Sequence, residues 1–171
     1  MRIVQVTALV AVCGLFGLLV WKLTHQTASA KVGGPVPNFA LKRLDGAGTL
    51  SLVELRGKPT VINFFASWCG PCKGEAPILE QASQQYKGKV QFVGIDYHDV
   101  TSDGRRFLRA HDITFPTVQD GSGMTGDKFG LTGVPETFVV NSQGRLLKHI
   151  VGTLTEYKQQ FNDSLEAAVK P

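Results

Sequence analysis

Cys69 and Cys72 are two thiols separated by Gly70-Pro71, and that type and spacing suit a disulfide that closes and reopens. They follow an apolar run, Val61 to Ala66, that reads as a buried strand. They precede Lys73 to Tyr86, whose apolar residues are spaced for a helix. At such a junction the first sulfur stands at a helix N-terminus, where unpaired N–H groups and the positive end of the helix dipole favour a thiolate. Cys69 is therefore expected to be the exposed nucleophile, and Cys72, one turn inward, the resolving thiol. The competing use of a Cys pair is zinc, which takes four ligands. The remaining cysteine, Cys13, lies in an N-terminal apolar run, and His25, His98, His111 and His149 are scattered. Neither a metal site nor a framework of structural disulfides is expected. Dithiol exchange itself requires no cofactor.

The elements that must hold this pair come from a chain of 171 residues, 43% hydrophobic, which has room for one domain with a real core. The net charge of +4 falls to +2 once Arg2 and Lys22 are set aside, and no basic block occurs. Nucleic acid is thereby excluded as a partner.

Ile3 to Trp21 is apolar apart from Gln5 and Thr7. At ~1.5 Å per residue it reaches about 28 Å, close to the thickness of a bilayer's hydrocarbon core. Residues 1–23 are expected to be an uncleaved anchor. The alternative is a cleaved signal ending at Ala28-Ser29-Ala30, but the run exceeds the usual apolar core of a signal, and polar residues from Lys22 to Gln26 intervene before that site. Arg2 on one side and Lys22 and Lys31 on the other do not fix the orientation by charge. The very short N-terminal tail places the rest of the chain outside. Cys13 reads as a small apolar residue of the membrane helix. Residues 24–37, rich in Thr, Ala, Ser, Gly and Pro, read as a linker, leaving 38–171 as the catalytic domain.

Within that domain Phe39, Leu41, Leu50 and Leu52 alternate around Asp45-Gly46-Ala47-Gly48, predicting a leading hairpin. Val61 to Ala66 suits a central strand covered on both faces. The helix after Cys69 contains Pro77 and turns Ile78, Leu79, Ala82 and Tyr86 inward. A strand from Val90 to Ile95 ends at Asp96-Tyr97-His98-Asp99. There follow a helix over Asp103–His111 with Phe107, Leu108 and Ala110 inward, a strand at Thr117–Gln119 and a helical turn at Thr125–Phe129. A hairpin of Thr137–Val140 with Leu146–Val151 comes next, and a helix from Thr155 to Val169 closes the chain. The order predicts an α/β fold, a central mixed sheet with helices on both faces.

Trp68-Cys69-Gly70-Pro71-Cys72-Lys73, Ala76-Pro77-Ile78-Leu79 and Gly133-Val134-Pro135-Glu136-Thr137-Phe138 resemble the thioredoxin fold at its active-site turn, its proline-bearing helix and its cis-proline loop. From about Val32 to Val169 the chain is similar to the membrane-anchored thioredoxin-like thiol-disulfide oxidoreductases of cytochrome c maturation, the TlpA/ResA/DsbE-like group. Cys69 and Pro135 lie 66 residues apart, more than plain thioredoxin needs. That interval fits the group's central insertion, as the leading strands fit its N-terminal β-hairpin extension.

The resemblance implies that Pro135 is cis and sets the Val134 backbone beside Cys69 as a docking edge for an extended substrate. Without it a trans proline would be expected, since only about 5–6% of X-Pro bonds are cis. It also implies that Glu75, three residues after Cys72 on one helix face, accepts and returns the Cys72 proton; a solvated helix acid is the plain alternative. Where plain thioredoxins carry a buried Asp the chain has Asn63, which cannot titrate, so Glu75 is the better acid and Glu136 the second. Trp68, Val134 and Glu136 are the expected substrate-binding residues, with Trp68 a flat apolar wall over the disulfide. Lys73 reads as solvated. His98 and Asp99 either shape a substrate groove or form a plain polar loop.

Gly70-Pro71 is the thioredoxin dipeptide, which favours the reducing end of a range from about −270 to about −120 mV, a span of roughly 7 kcal/mol. The expected activity is reduction of protein disulfides outside the cytoplasmic membrane, on the periplasmic or exterior side, with the haem-binding cysteines of apocytochrome c as the expected substrate and a membrane protein as electron donor. A general disulfide reductase or thiol oxidant of the envelope uses the same residues. Thioredoxin-like peroxidases lack this turn, and a non-catalytic docking or assembly factor would not need Cys69.

Overall fold

A run with no polar residue but Asn63 has to be covered on both sides, and the computed structural model, which describes Gln5 and residues 12–18, 20–21 and 30–170, puts it at the heart of a sheet. The strands are β1 (Ala40–Arg43), β2 (Thr49–Ser51), β3 (Thr60–Phe65), β4 (Gln91–Tyr97), β5 (Thr117–Asp120), β6 (Glu136–Val140) and β7 (Leu146–Val151). The helices are α1 (Gly70–Gln85), α2 (Thr101–Ala110), α3 (Met124–Phe129) and α4 (Lys158–Val169), with a 3-10 turn at Leu52–Leu55. The sheet runs β2-β1-β5-β4-β3-β6-β7. The β3–β4 and β4–β5 pairs are parallel; the β1–β2, β1–β5, β3–β6 and β6–β7 pairs are antiparallel. This is the expected thioredoxin-like arrangement, with the leading hairpin extending the sheet beyond β5.

Strand alternation sorts β3 into two faces. Ile62 and Phe64 join Phe129 of α3, Phe138, Val118 and the leading hairpin's Leu50 in one core. Val61 faces Leu79 and Ala82 of α1 and Phe161 and Leu165 of α4. Phe65 packs with Phe107 and Leu108 of α2 and with the two cysteines. Asn63 shares the face of Val61 and Phe65, so its amide points at α1.

Four expectations shift. β4 continues to Tyr97 rather than ending at Ile95, which draws Asp96 into the sheet opposite Phe65 and Gln119. α4 begins at Lys158 rather than Thr155, because the Leu154 N–H is taken by Glu75 Oε2 at 2.9 Å and the chain turns there before the helix opens. Ala110, expected inward, is exposed as the last residue of α2. Of the expected linker, residues 24–29 lie outside those described, whereas the later part docks on the sheet. Gly33 N donates to Leu146 O, Leu146 N to Gly34 O, and Val36 is buried in the core. Gly33, at φ 81, supplies the left-handed turn that lets the chain lie against β7.

Residues 12–18, 20 and 21 are helical, and Cys13 is exposed and free. The expected span from Ile3 to Trp21 lies in part outside the described residues. Among the described residues no helix is long and apolar enough to cross a membrane.

Candidate active site

Cys69 is the N-cap of α1, and its sulfur accepts the Cys72 N–H at 3.1 Å. Pro71 suits this place, because it has no N–H to lose in the first turn of the helix. The sulfurs of Cys69 and Cys72 are joined in a disulfide. Cys69 was expected to be exposed, but in this oxidised form it is only 4% accessible, because its sulfur is bonded to Cys72 and lies 3.6 Å from the Val134 carbonyl oxygen. The Val134–Pro135 bond is cis, and Gly152 N donates to Pro135 O from the far side of the loop. Trp68 is 60% exposed, and its indole N–H donates to the His98 carbonyl at 3.2 Å. Lys73 is exposed.

Beneath the disulfide, Glu75 is 1% exposed. Its Oε1 accepts from Asn63 Nδ2 at 2.8 Å and its Oε2 from the Leu154 N–H at 2.9 Å, so β3, α1 and the loop before α4 converge on one carboxyl. Asn63 also donates to Thr137 Oγ1 at 3.1 Å. Burial pushes the Glu75 pKa up to about 7, and the bonds from Leu154 and Asn63 offset only part of that. Asn63 and Cys72 line a small cavity with Phe65, Ala76, Leu79 and Phe107, with the volume of about one water. Asn63, which lines that cavity with Cys72, is hydrogen-bonded to Glu75, and a carboxyl with its pKa near neutrality is suited to take and return a proton.

Glu136 does not belong to this group. Its neighbour Thr137 faces Asn63, so strand alternation turns Glu136 to the opposite face of the sheet. There its Oε1 accepts from Thr132 N, Thr132 Oγ1 and Gly133 N, and its Oε2 lies 2.6 Å from His149 Nε2. Burial opposes its charge, but the bonds from His149 and Thr132 outweigh that and hold its pKa below the ordinary range. Glu136 thus braces the proline loop from behind, on the face of the sheet away from Asn63 and Glu75 and not beside Cys72 as a second acid. Asp99, expected as a groove or a plain polar loop, instead accepts the Ser67 N–H. The sequence signal for Glu136 was its place beside Thr137 in a strand; for Asp96, it was an acid directly continuing an apolar run.

No group of His, Cys, Asp and Glu side chains suited to a metal occurs among the described residues. The arrangement is a disulfide at a helix N-terminus, a cis-proline edge beside the outer sulfur and a neutralisable acid behind the inner one.

Residues 32–149 match the AhpC/TSA family. The chain belongs to that family. The chain is 29% identical over 149 residues to thiol-disulfide oxidoreductase ResA of Bacillus subtilis (strain 168), covering 86% of this chain and 83% of the relative. It is 34% identical over 132 residues to thiol:disulfide interchange protein DsbE of Pseudomonas fluorescens biotype C, covering 77% and 72%. A crystal structure of a putative thiol:disulfide interchange protein DsbE from Chlorobium tepidum superposes with a TM-score of 0.78 at 29% identity, covering 83% of this chain and all of the other. With its Cys69–Cys72 disulfide the chain is a thiol-disulfide oxidoreductase of the ResA/DsbE type.

Proposed function

We propose that the chain reduces disulfides in protein substrates outside the cytoplasmic membrane, that residues 1–23 anchor it there, and that the haem-binding cysteines of apocytochrome c are its substrate. The reducing direction rests on Gly70-Pro71 between the two cysteines, and the observation that carries the dithiol exchange is the buried Glu75, held by Asn63 and Leu154 with its pKa pushed up to about 7.

In the reduced enzyme the Cys69 thiolate attacks one sulfur of the substrate disulfide. A Cys69–substrate bond forms, and the other substrate sulfur leaves as thiolate and is protonated. The Cys72 thiol gives its proton to Glu75, across the cavity that Cys72 and Asn63 line, and the Cys72 thiolate attacks the Cys69 sulfur. The second substrate thiolate leaves and is protonated as Glu75 returns its proton, the first having taken a proton from solvent, and the disulfide of this structure remains. The substrate has gained two electrons and two protons. Val134 and Pro135 offer the edge against which an extended substrate segment pairs, and Trp68 gives an apolar surface beside it. The oxidised pair is returned to dithiol by a membrane electron donor, since the reductant must reach the outer side.

The names of the relatives ResA and DsbE support the oxidoreductase class. The substrate is tested by a Cys72→Ser variant in native membranes, which retains Cys69 but cannot resolve the mixed disulfide. Apocytochrome c disulfide-linked to Cys69 is the expected product. Trapping of other proteins with apocytochrome c absent would overturn the substrate assignment, and a deletion strain with normal cytochrome c levels would do the same. Failure of any Cys69 adduct to accumulate would overturn the reductase mechanism.

A further inference from the structure

Asp96 is fully buried at the end of β4, and neither of its oxygens meets an N–H or O–H donor. A buried carboxyl without a donor is held neutral, because a charge there would lack compensation. The Asp99 carboxyl acts on it both by its charge and as a side-chain hydrogen-bond partner, which keeps the proton on Asp96. Two neighbouring carboxyls cannot both be ionised without strong repulsion. Asp99 in turn accepts the Ser67 N–H on Oδ2 and the Val100 N–H on Oδ1. Burial pushes Asp99 up, but these bonds more than offset it, so Asp99 lies below the ordinary carboxylate range and is the charged member of the pair.

Ser67 directly precedes Trp68-Cys69. The same loop grips the turn a second time through the His98 carbonyl on the Trp68 indole, with His98 at the left-handed φ of 48. Gln119 Nε2 donates to the Asp99 carbonyl and fixes the loop to β5. α2 meets Asp96 at Gly104, where a Cβ would overlap the carboxylate, so the helix approaches closely only because that residue has no side chain.

We propose that Asp96 and Asp99 are positioning residues for the redox turn: Asp96 carries the shared proton and donates it to Asp99, which fixes the Ser67 N–H and with it Trp68 and Cys69. The inference rests on Cys69 being the nucleophile. Loss of the Asp96 proton sets two carboxylates against each other and turns Asp99 away from Ser67, so the turn loosens. Among the described residues, Asp99 is the charge that bears on Asp96. The residues paired with Asp96 in the sheet are Phe65 and Gln119, Leu44 packs from the β1–β2 side, and on α2 Arg105 Nε is bound to the Leu44 carbonyl while Asp103 pairs with Arg106. Burial and the Asp99 charge push the Asp96 pKa up to about 8, which places the loosening in mildly alkaline solution.

The test follows the Asp99 carboxyl carbon and the Ser67 amide nitrogen by NMR in the oxidised full-length protein while pH is raised. Both resonances are expected to move together around pH 8 in the wild type and to stay flat in Asp96→Asn, whose amide donates at every pH. Absence of that movement in the wild type, or its persistence in Asp96→Asn, would overturn the proposal. In the reduced protein at neutral pH, Asp96→Val is expected to lower Cys69 alkylation by iodoacetamide about tenfold, the worth of one hydrogen bond, with Asp96→Asn restoring it. Asp99→Ala, which leaves the buried pocket intact, is expected to give the same loss. Equal rates in Asp96→Val and Asp96→Asn would overturn the proposal. Alkylation on Cys72 in place of Cys69 would overturn the nucleophile assignment, while the NMR shifts still decide the carboxyl pair.

Discussion

Asn63 Nδ2 donates to Glu75 Oε1 across 2.8 Å, joining the strand that ends at the redox turn to the helix that begins there. The amide cannot titrate, so it orients Glu75 and leaves that carboxyl as the group that changes charge. The Leu154 N–H on the other oxygen fixes the carboxyl from a third element.

Glu75 makes stability depend on pH. Its folded-state pKa is raised from 4.5 to about 7, so the folded protein holds the proton more tightly than the unfolded chain does. The stability it contributes is full below about 4.5 and is lost as pH rises through 7. The shift corresponds to roughly 3 kcal/mol. Glu75→Gln removes the titration and leaves one donor facing an amide N–H₂, so the variant is expected to be the less stable at pH 4. Between pH 4 and pH 9 the difference from wild type should then move by about 3 kcal/mol in the variant's favour. Urea unfolding of both oxidised proteins at the two pH values checks this; parallel pH profiles would refute it.

Asn63→Ala leaves Glu75 Oε1 without its side-chain donor and Thr137 Oγ1 without its partner. The Glu75 pKa is expected to rise further, because a hydrogen bond to the charged form is lost while burial stays. The pH at which Cys72 resolves a preformed Cys69 mixed disulfide should move upward with it. Stopped-flow release of a fluorescent thiol from that mixed disulfide measures the profile. A profile unmoved from wild type would show that Glu75 takes no part in the resolving step.

The redox turn and the central place of β3 were legible in the sequence, because they rest on local chemistry: a Cys pair after an apolar run, a proline early in a helix, and no polar residue but Asn63 from Val61 to Ala66. The role of Glu136 was not legible. Its neighbours in sequence put it beside Pro135, yet one residue along a strand reverses the face, and the groups that claim its carboxylate, Thr132 and His149, come from a loop and from β7. Asp96 was misread for a related reason. An acid after an apolar run looks like a strand end, and only the close approach of α2 at Gly104, a tertiary contact, shows that it is enclosed.

Glu136→Gln tests the brace behind the proline loop. The folded carboxyl has a lowered pKa, so its contribution is present above the unfolded value and is lost as pH falls through the folded one. The substitution keeps the shape but weakens the bonds to Thr132, Gly133 and His149. It is expected to cost about 2 kcal/mol at neutral pH and less at pH 3. Thermal unfolding at both pH values reads the difference, and a cost independent of pH would refute the charged brace.

Gly104→Ala separates the packing at Asp96 from its proton. A methyl on Gly104 would overlap the Asp96 carboxylate and press on Leu44 Cδ2, so α2 must move off the sheet. Replacing Gly by Ala inside a helix ordinarily stabilises by about 1 kcal/mol. Here the overlap is expected to reverse the sign and destabilise by about 2 kcal/mol. In Asp96→Ala/Gly104→Ala the methyl occupies space that the carboxyl has left, so the helix preference for alanine returns. The double variant should therefore be more stable than the two single effects added together, with a coupling of about 2 kcal/mol. Denaturant unfolding of the four proteins closes the cycle. Additive effects would mean that α2 and Asp96 do not meet as the structure has them, and would remove the enclosure on which the neutral Asp96 depends.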